Sequence, residues 1–192
     1  MKRTEALKHI RPHLTDERYE HTLRVTDTAL ELARMYDVGV HAKKVELAAL
    51  FHDYAKYRRL EEMKQWILQS RLPKDLLQYH HELWHGPVGA LLIERELGIK
   101  DKMIQQAIHY HTTGKAHMTT FELVIFVADY IEPGRSFPGL DEVRDVSQHD
   151  LTRAAWMISR NTIRFLLAKN SKIYPDTFHA YNDLTRRING GM

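Results

Sequence analysis

The sequence predicts an all-α fold arranged as a single domain. Its 192 residues suit one domain with a buried core. No segment alternates apolar and polar residues over the length of a strand. The 9 Gly and 6 Pro fall between segments in which apolar residues recur at helical spacing. These stop signals divide the chain into eight to ten predicted helices.

Start and stop residues give the order of the predicted helices. Thr15 is a good N-cap for a first helix, and Asp101 caps another. Pro87 and Pro175 would stand in a first helical turn, where proline is tolerated. The segment 123–128 is apolar on every side, which predicts a central, buried helix. The predicted helices lie at about 15–36, 43–54, 60–72, 86–98, 101–110, 120–132, 150–169 and 175–189.

Composition excludes several classes of protein. The formal net charge is only +3, from 28 Lys+Arg and 25 Asp+Glu, which gives no reason to expect a nucleic-acid partner. The absence of cysteine excludes disulfides, thiolate zinc sites, iron–sulfur clusters and cysteine nucleophiles. The longest apolar run is too short to span a bilayer, and the charged N-terminus does not look like a signal peptide. We therefore expect a cytoplasmic protein without a membrane partner.

Histidine is unusually frequent, with 13 residues, and several histidines and acids fall on apolar helix faces. His21 continues the stripe of its helix, as His52 does, and Asp129 ends the helix expected to be most buried. Asp53 follows His52 directly. Buried carboxylates are costly unless they are paired or bind a metal. The pattern favours a site for iron, manganese or zinc over calcium or magnesium, although hydrogen-bonded core residues and helix-end pairs would also explain each position.

The order of these residues resembles the HD superfamily of metal-dependent phosphohydrolases, which has a His, a His-Asp doublet and a distant Asp on a helical bundle. Longer stretches resemble the YqeK family of bacterial symmetrical diadenosine tetraphosphate hydrolases: FHDYAK at 51–56, HELWHGP at 81–87, YHTTG at 110–114 and ADYIEPGR at 128–135. The resemblance covers about 18–174. It implies one HD-type domain over 1–192, with a motif-bearing core at about 18–135 and C-terminal helices at about 150–189.

The resemblance also implies a metal centre and a reaction. The implied metal ligands are His21, His52, Asp53 and Asp129. The implied cofactor is iron, as one or two ions, with manganese, zinc or cobalt as alternatives. The implied reaction is symmetrical cleavage of diadenosine tetraphosphate to two ADP by metal-activated water. Asp53 is also a candidate catalytic residue, because its second oxygen could contact another ion or hold the attacking water.

Other polar residues of the motifs are candidates for binding phosphate. Lys56 is the second candidate catalytic residue, because it lies about one turn after His52 and could neutralise charge that develops on phosphate in the transition state. His85 stands at a predicted helix start, where anions bind well, and would contact phosphate or a second metal ion. The same two roles apply to His111, with His109 as the competing histidine. The remaining candidates for binding the nucleotide are Arg18, Thr112, Arg135 and Tyr174.

Two other functions fit the same residues. One is HD-type hydrolysis of a different nucleotide, such as a monophosphate or a cyclic phosphodiester. The other is a nucleotide sensor without catalysis, in which the metal site serves only as a scaffold. The cationic candidates favour a polyphosphate substrate, and ADP or guanine nucleotides are further expected ligands. The number of amphipathic helices leaves room for a homodimer.

Overall fold

A computed structural model describes residues 1–190, and that part of the chain contains ten α-helices, four short 3-10 helices and no strand. The all-α prediction is confirmed, and the helix number lies at the upper end of the predicted range. The α-helices are α1 (Arg3–Ile10), α2 (Asp16–Met35), α3 (Ala42–Phe51), α4 (Leu60–Gln69), α5 (His85–Leu97), α6 (Lys102–Tyr110), α7 (Thr120–Ile131), α8 (Leu140–Ser147), α9 (Leu151–Ala168) and α10 (Pro175–Ile188).

Helix α7 is the centre of the fold, as its apolar sequence predicts. It packs against α2, α3, α6 and α9, so neighbours surround it. Its apolar side chains from Phe121 to Ala128 are all buried. Burying one large aliphatic side chain contributes roughly 1.5–3 kcal/mol, so this helix carries much of the core stability. Asp129 lies at its C-terminal end and is thereby held at the edge of the core.

The predicted start signals act as helix caps. Thr15 Oγ1 accepts a hydrogen bond from the Arg18 amide, and α2 begins at the next residue. Asp101 Oδ1 accepts from the amides of the second and third residues of α6. Thr119 and Glu122 form a reciprocal capping box at the start of α7. Such caps satisfy amides that have no partner inside the helix and typically contribute about 1 kcal/mol each.

The structure differs from the predicted elements in two helices that were not predicted and in where some helices end. Helices α1 and α8 were not predicted, because each has only eight residues and neither begins at a Ser, Thr, Asp or Asn cap. Helix α3 ends at Phe51, about three residues before the predicted end. The ring of its C-cap, His52, contacts the carbonyl oxygen of Ala49 in the last turn of the helix. Tight turns follow, in which the Lys56 amide donates to the Asp53 carbonyl. His52 and Asp53 therefore lie just beyond the helix.

A close backbone contact sets the position of α5 against α6. A Cβ atom at Gly86, in the first turn of α5, would lie 2.8 Å from the carbonyl oxygen of His109, in the last turn of α6. Only glycine allows this approach. The contact brings the start of α5 beside the end of α6, and so places His85 next to His111. No helix within residues 1–190 is long and apolar enough to cross a membrane.

Candidate metal and phosphate site

Two histidines and two aspartates from separate parts of the chain form the first ligand group. His21 Nε2 lies 3.1 Å from Asp129 Oδ1, and His52 Nε2 lies 3.2 Å from Asp53 Oδ2. Each imidazole also lies 3.9 Å from the other aspartate. Helix α2 supplies His21, the turn after α3 supplies His52 and Asp53, and the end of α7 supplies Asp129. The four residues that the sequence indicated therefore converge.

Asp53 also belongs to a second ligand group, with His85 and His111. Its Oδ1 atom lies 3.1 Å from His85 Nε2 and 3.9 Å from His111 Nε2. The two imidazole Nε2 atoms are 3.0 Å apart. All three side chains are buried. One carboxylate, with one oxygen toward each group, thus joins the two clusters.

Backbone contacts fix which imidazole nitrogen carries the proton. His52 Nδ1 lies 2.7 Å from the Ala49 carbonyl oxygen, and His111 Nδ1 lies 2.7 Å from that of Ile108. A carbonyl only accepts hydrogen bonds, so each Nδ1 carries the hydrogen. In a neutral ring, Nε2 then presents a lone pair to the centre of the site. This is the tautomer that binds a metal through Nε2.

The Nε2 lone pairs of the two histidines in the first ligand group have no donor among the described residues. His21 Nε2 and His52 Nε2 are buried without a hydrogen-bond partner in residues 1–190. They face carboxylate oxygens, which are acceptors as well. A cation bound between them would satisfy imidazole and carboxylate together. The donor set, of nitrogen and oxygen without sulfur, fits a first-row transition metal.

The pKa shifts of the two aspartates and of His111 agree with this arrangement. Burial disfavours ionisation of Asp53, but His52 and His85 together hold its pKa well below its usual range. Asp129 is also held well below its usual pKa, because His21 and Arg135 outweigh the effect of burial. Burial, reinforced by neighbouring imidazoles, lowers the pKa of His111 to about 3. The site therefore combines ionised carboxylates with a neutral His111.

A buried glutamate supports the first ligand group from behind. Glu132 Oε1 lies 3.0 Å from His21 Nδ1, so it can accept the hydrogen and leave Nε2 free. Its other oxygen accepts from Arg24 Nε and from the Gly134 amide, both at 2.6 Å. Glu132 lies within the motif at 128–135, but the motif alone does not indicate this role. Its spacing of three residues from Asp129, at the end of a buried helix, was the available signal.

A cavity of about 240 Å³ opens on both ligand groups, and we call it the catalytic cavity. Arg18 Nη1 lies 3.1 Å from Asp53 Oδ2, and Arg135 Nη2 lies 2.6 Å from Asp129 Oδ1. Lys56 also lines the cavity, with its Nζ 2.6 Å from Glu82. Three cationic side chains therefore border the two ligand groups. Phe126, Tyr130 and Ile158 also line the cavity, and we call these three residues its apolar wall.

The structure brings most, but not all, of the remaining candidates to this cavity. Thr112 lines it, and the Oγ1 atom of Thr112 is buried without a hydrogen-bond partner in the described part of the chain. His111, and not His109, lies in the second ligand group. Tyr174 does not line the catalytic cavity. Its ring packs edge-to-face on Tyr79 at 5.0 Å, beside a much smaller cavity that it shares with His109.

Comparison with known proteins defines the class. The sequence profile of the HD domain matches residues 18–134, and this chain belongs to the HD domain family. It is 52% identical over 182 residues to a Bacillus subtilis protein named "Bis(5'-nucleosyl)-tetraphosphatase, symmetrical", covering 95% of this chain and 97% of the relative. A Staphylococcus aureus protein of the same name is 46% identical, covering 88% of this chain and 87% of the relative.

A solved structure supports the fold independently. It is a predicted HD superfamily hydrolase involved in NAD metabolism from Clostridium acetobutylicum. The two chains are 34% identical and superpose with a TM-score of 0.91, covering 97% of this chain and 98% of the other. The helical arrangement that gathers the ligand groups is thus shared along nearly the whole chain.

Proposed function

We propose that this protein is a metal-dependent hydrolase that cleaves diadenosine tetraphosphate, and related dinucleoside tetraphosphates, symmetrically to two nucleoside diphosphates. The observation that carries the proposal is the joining of two His-Asp ligand groups by Asp53 beside a cavity with three cationic side chains. The names of the Bacillus and Staphylococcus relatives support the same substrate. A polyphosphate bridge matches the cations, since phosphate oxygens pair well with guanidinium and ammonium groups.

We assign the metal ligands to the two groups. His21, His52, Asp53 and Asp129 would hold one ion, and a second would lie between Asp53, His85 and His111. We expect iron, with manganese, zinc or cobalt as alternatives that the same nitrogen and oxygen donors accept. When bound, such an ion supplies a Lewis acid that polarises a phosphoryl oxygen and makes water more acidic.

The protein side chains orient the substrate and balance its charge. In the reaction, water attacks an inner phosphorus, the bond from that phosphorus to the central bridging oxygen breaks, and ADP leaves with that oxygen. Arg135 and Lys56 would lie against the phosphates and stabilise the added negative charge. Lys56 would exchange its contact with Glu82 for a phosphate oxygen. The Thr112 hydroxyl would donate a hydrogen bond to another phosphate oxygen. This contact would satisfy its Oγ1 atom, which is buried without a partner in residues 1–190.

The apolar wall of the catalytic cavity suits a nucleoside. Phe126 and Ile158 contribute hydrocarbon surface to the same cavity as the cations. A base or ribose placed there would bury apolar area, while its diphosphate reaches Arg18 and Arg135. The catalytic cavity therefore fits one nucleoside diphosphate half of the substrate.

Analysis of the products tests the proposal. Protein reconstituted with metal is incubated with diadenosine tetraphosphate, and the nucleotides are separated by ion-exchange chromatography, with Asp53→Asn as the inactive control. ADP as the sole product supports symmetrical cleavage. Equal amounts of AMP and ATP would contradict the point of attack. Tight binding without any product, over several divalent metals, would instead indicate a sensor.

The sequence makes further predictions about the setting of this activity. A homodimer, a cytoplasmic location and the absence of nucleic-acid and membrane partners stay predictions. Light scattering during gel filtration measures the mass in solution and would reveal a dimer. The single domain over 1–192 also stays a prediction, and its last two residues lie outside the described part of the chain.

A further inference from the structure

A second cavity, of about 250 Å³, borders the first ligand group from another side. His21 lines it, and Arg18 and Arg135 line both this cavity and the catalytic cavity. The two guanidinium groups therefore mark the boundary between two spaces of nearly equal size. Arg24 and Tyr57 also line the second cavity. None of the residue roles proposed above places a ligand there.

The second cavity carries groups suited to an anion. Three arginines line it, at positions 18, 24 and 135, against two glutamates, Glu17 and Glu132. Glu132 already accepts hydrogen bonds from Arg24 Nε and from the Gly134 amide. The terminal nitrogens of Arg24 make no hydrogen bond within residues 1–190, and its side chain is partly exposed. Arg24 therefore keeps donors that a phosphate could occupy.

Tyr57 gives the same cavity an aromatic surface. Its side chain is 53% exposed, in the turn between α3 and α4, and approaches the Arg18 guanidinium. An exposed ring beside arginines resembles the stacking surfaces on which proteins bind nucleobases. A nucleotide whose base stacks on Tyr57 would have its phosphates near Arg18 and Arg24.

The size of the substrate requires a second binding region. Ligand sites for a drug-sized molecule typically measure about 300–1,000 Å³, so the catalytic cavity alone is small for a dinucleotide. Symmetrical cleavage also leaves one nucleoside diphosphate on each side of the reacting bond. Two cavities that meet at shared arginines beside the metal ligands match this requirement.

We propose that the cavity formed by Arg24, Tyr57 and the two shared arginines binds the second nucleoside diphosphate half of the substrate, with its base stacked on Tyr57. This inference rests on the proposed function and adds the place where the other half of the substrate binds. Tyr57 is then a residue that selects dinucleoside over mononucleoside polyphosphates. Arg24 contacts the phosphates of that half but also supports Glu132, so Tyr57 is the cleaner position to test.

The first experiment compares two substrates that differ only by the second nucleoside. Diadenosine tetraphosphate and adenosine 5′-tetraphosphate are hydrolysed by wild type and by Tyr57→Ala. The Tyr57→Ala substitution should lower kcat/KM about tenfold more for diadenosine tetraphosphate than for adenosine 5′-tetraphosphate, mainly by raising KM. A tenfold difference corresponds to about 1.4 kcal/mol of lost stacking. Tyr57→Phe keeps the ring and should restore the preference. Phe178→Ala, at an exposed aromatic residue outside both cavities, is the matched control.

Calorimetry with ADP gives a second readout that needs no turnover. Metal-loaded wild type should bind two ADP per chain, one in each cavity, and Tyr57→Ala should weaken one of them about tenfold. A single ADP site in the wild type would overturn the proposal. In the first experiment, an equal fall in the kcat/KM of Tyr57→Ala for both substrates, or no fall for either, would overturn it too. Failure of the wild type to cleave diadenosine tetraphosphate would instead contradict the proposed function, so the two failures are distinguishable.

Discussion

Replacing Glu132 with glutamine tests whether the first ligand group depends on the carboxylate behind His21. Glu132 is only 2% exposed, and its two oxygens accept from His21 Nδ1, Arg24 Nε and the Gly134 amide. Glutamine has nearly the same shape but only one acceptor oxygen. Its amide nitrogen would face either the imidazole hydrogen or the Arg24 side, and a donor would meet a donor in both orientations. In the first orientation His21 loses the partner that fixes its tautomer, and in the second the side chain loses the contacts with Arg24 and Gly134 that hold it against His21.

The expected effect is a loss of metal affinity. Removing an outer partner of a metal-binding histidine typically lowers affinity or activity about 10–100-fold, or roughly 1.4–2.7 kcal/mol. We expect Glu132→Gln to fall in this range, because Glu132 is buried and charged. The fold should remain, since the other contacts of α7 with the core are unchanged.

Titration of metal-stripped protein with Mn²⁺, followed by electron paramagnetic resonance of the free ion, measures this affinity directly. Glu122→Gln is the matched control, because Glu122 is a buried glutamate in α7, at whose C-terminal end Glu132 is the cap residue, and it binds Lys115 and Thr119 instead of a metal ligand. The control should lose stability in urea but keep its Mn²⁺ affinity. Equal Mn²⁺ affinity in Glu132→Gln and wild type would refute the supporting role of Glu132.

Three further substitutions test other parts of the site. Asp53→Asn should abolish both metal binding and turnover while the circular dichroism stays helical, and full turnover in a metal-free variant would contradict the ligand assignment. Lys56→Met should lower kcat on the order of 100-fold with the metal content unchanged, which elemental analysis checks. Gly86→Ala should destabilise the protein by about 1–3 kcal/mol in urea unfolding, since its Cβ would meet the His109 carbonyl. Unfolding at the wild-type urea concentration would argue against that close contact.

Local signals made most of the helices predictable. The caps Thr15 and Asp101 act on their own helix, so their effect can be inferred without knowing the fold. The apolar segment of α7 also gave its central position, because a helix without a polar face has to be covered on all sides. The end of α3 could not be inferred in this way, because the His52 ring competes for a carbonyl of its own helix.

The site was predictable where the sequence places a charged group on a helix face that has to be buried. Buried carboxylates such as Asp53 and Asp129 need a partner wherever they lie, and the matching motifs indicated which histidines to expect. The partners of flexible side chains were not visible. The contact of Lys56 with Glu82 and the enclosure of Tyr174 by its neighbours depend on how distant segments pack. Glu132 was missed for the same reason, since its role exists only once α2 lies against α7.

The contact of Gly86 with the end of α6 has a mechanical consequence. Close-packed protein interiors have low compressibility, and here main-chain atoms touch without a side chain between them. The separation of the main chain at His85 from that at His111 is therefore set by direct backbone contact. Pressure or moderate warming should leave this spacing nearly unchanged until the helices themselves separate. Loss of the second ligand group should then coincide with global unfolding, without a gradual loosening beforehand.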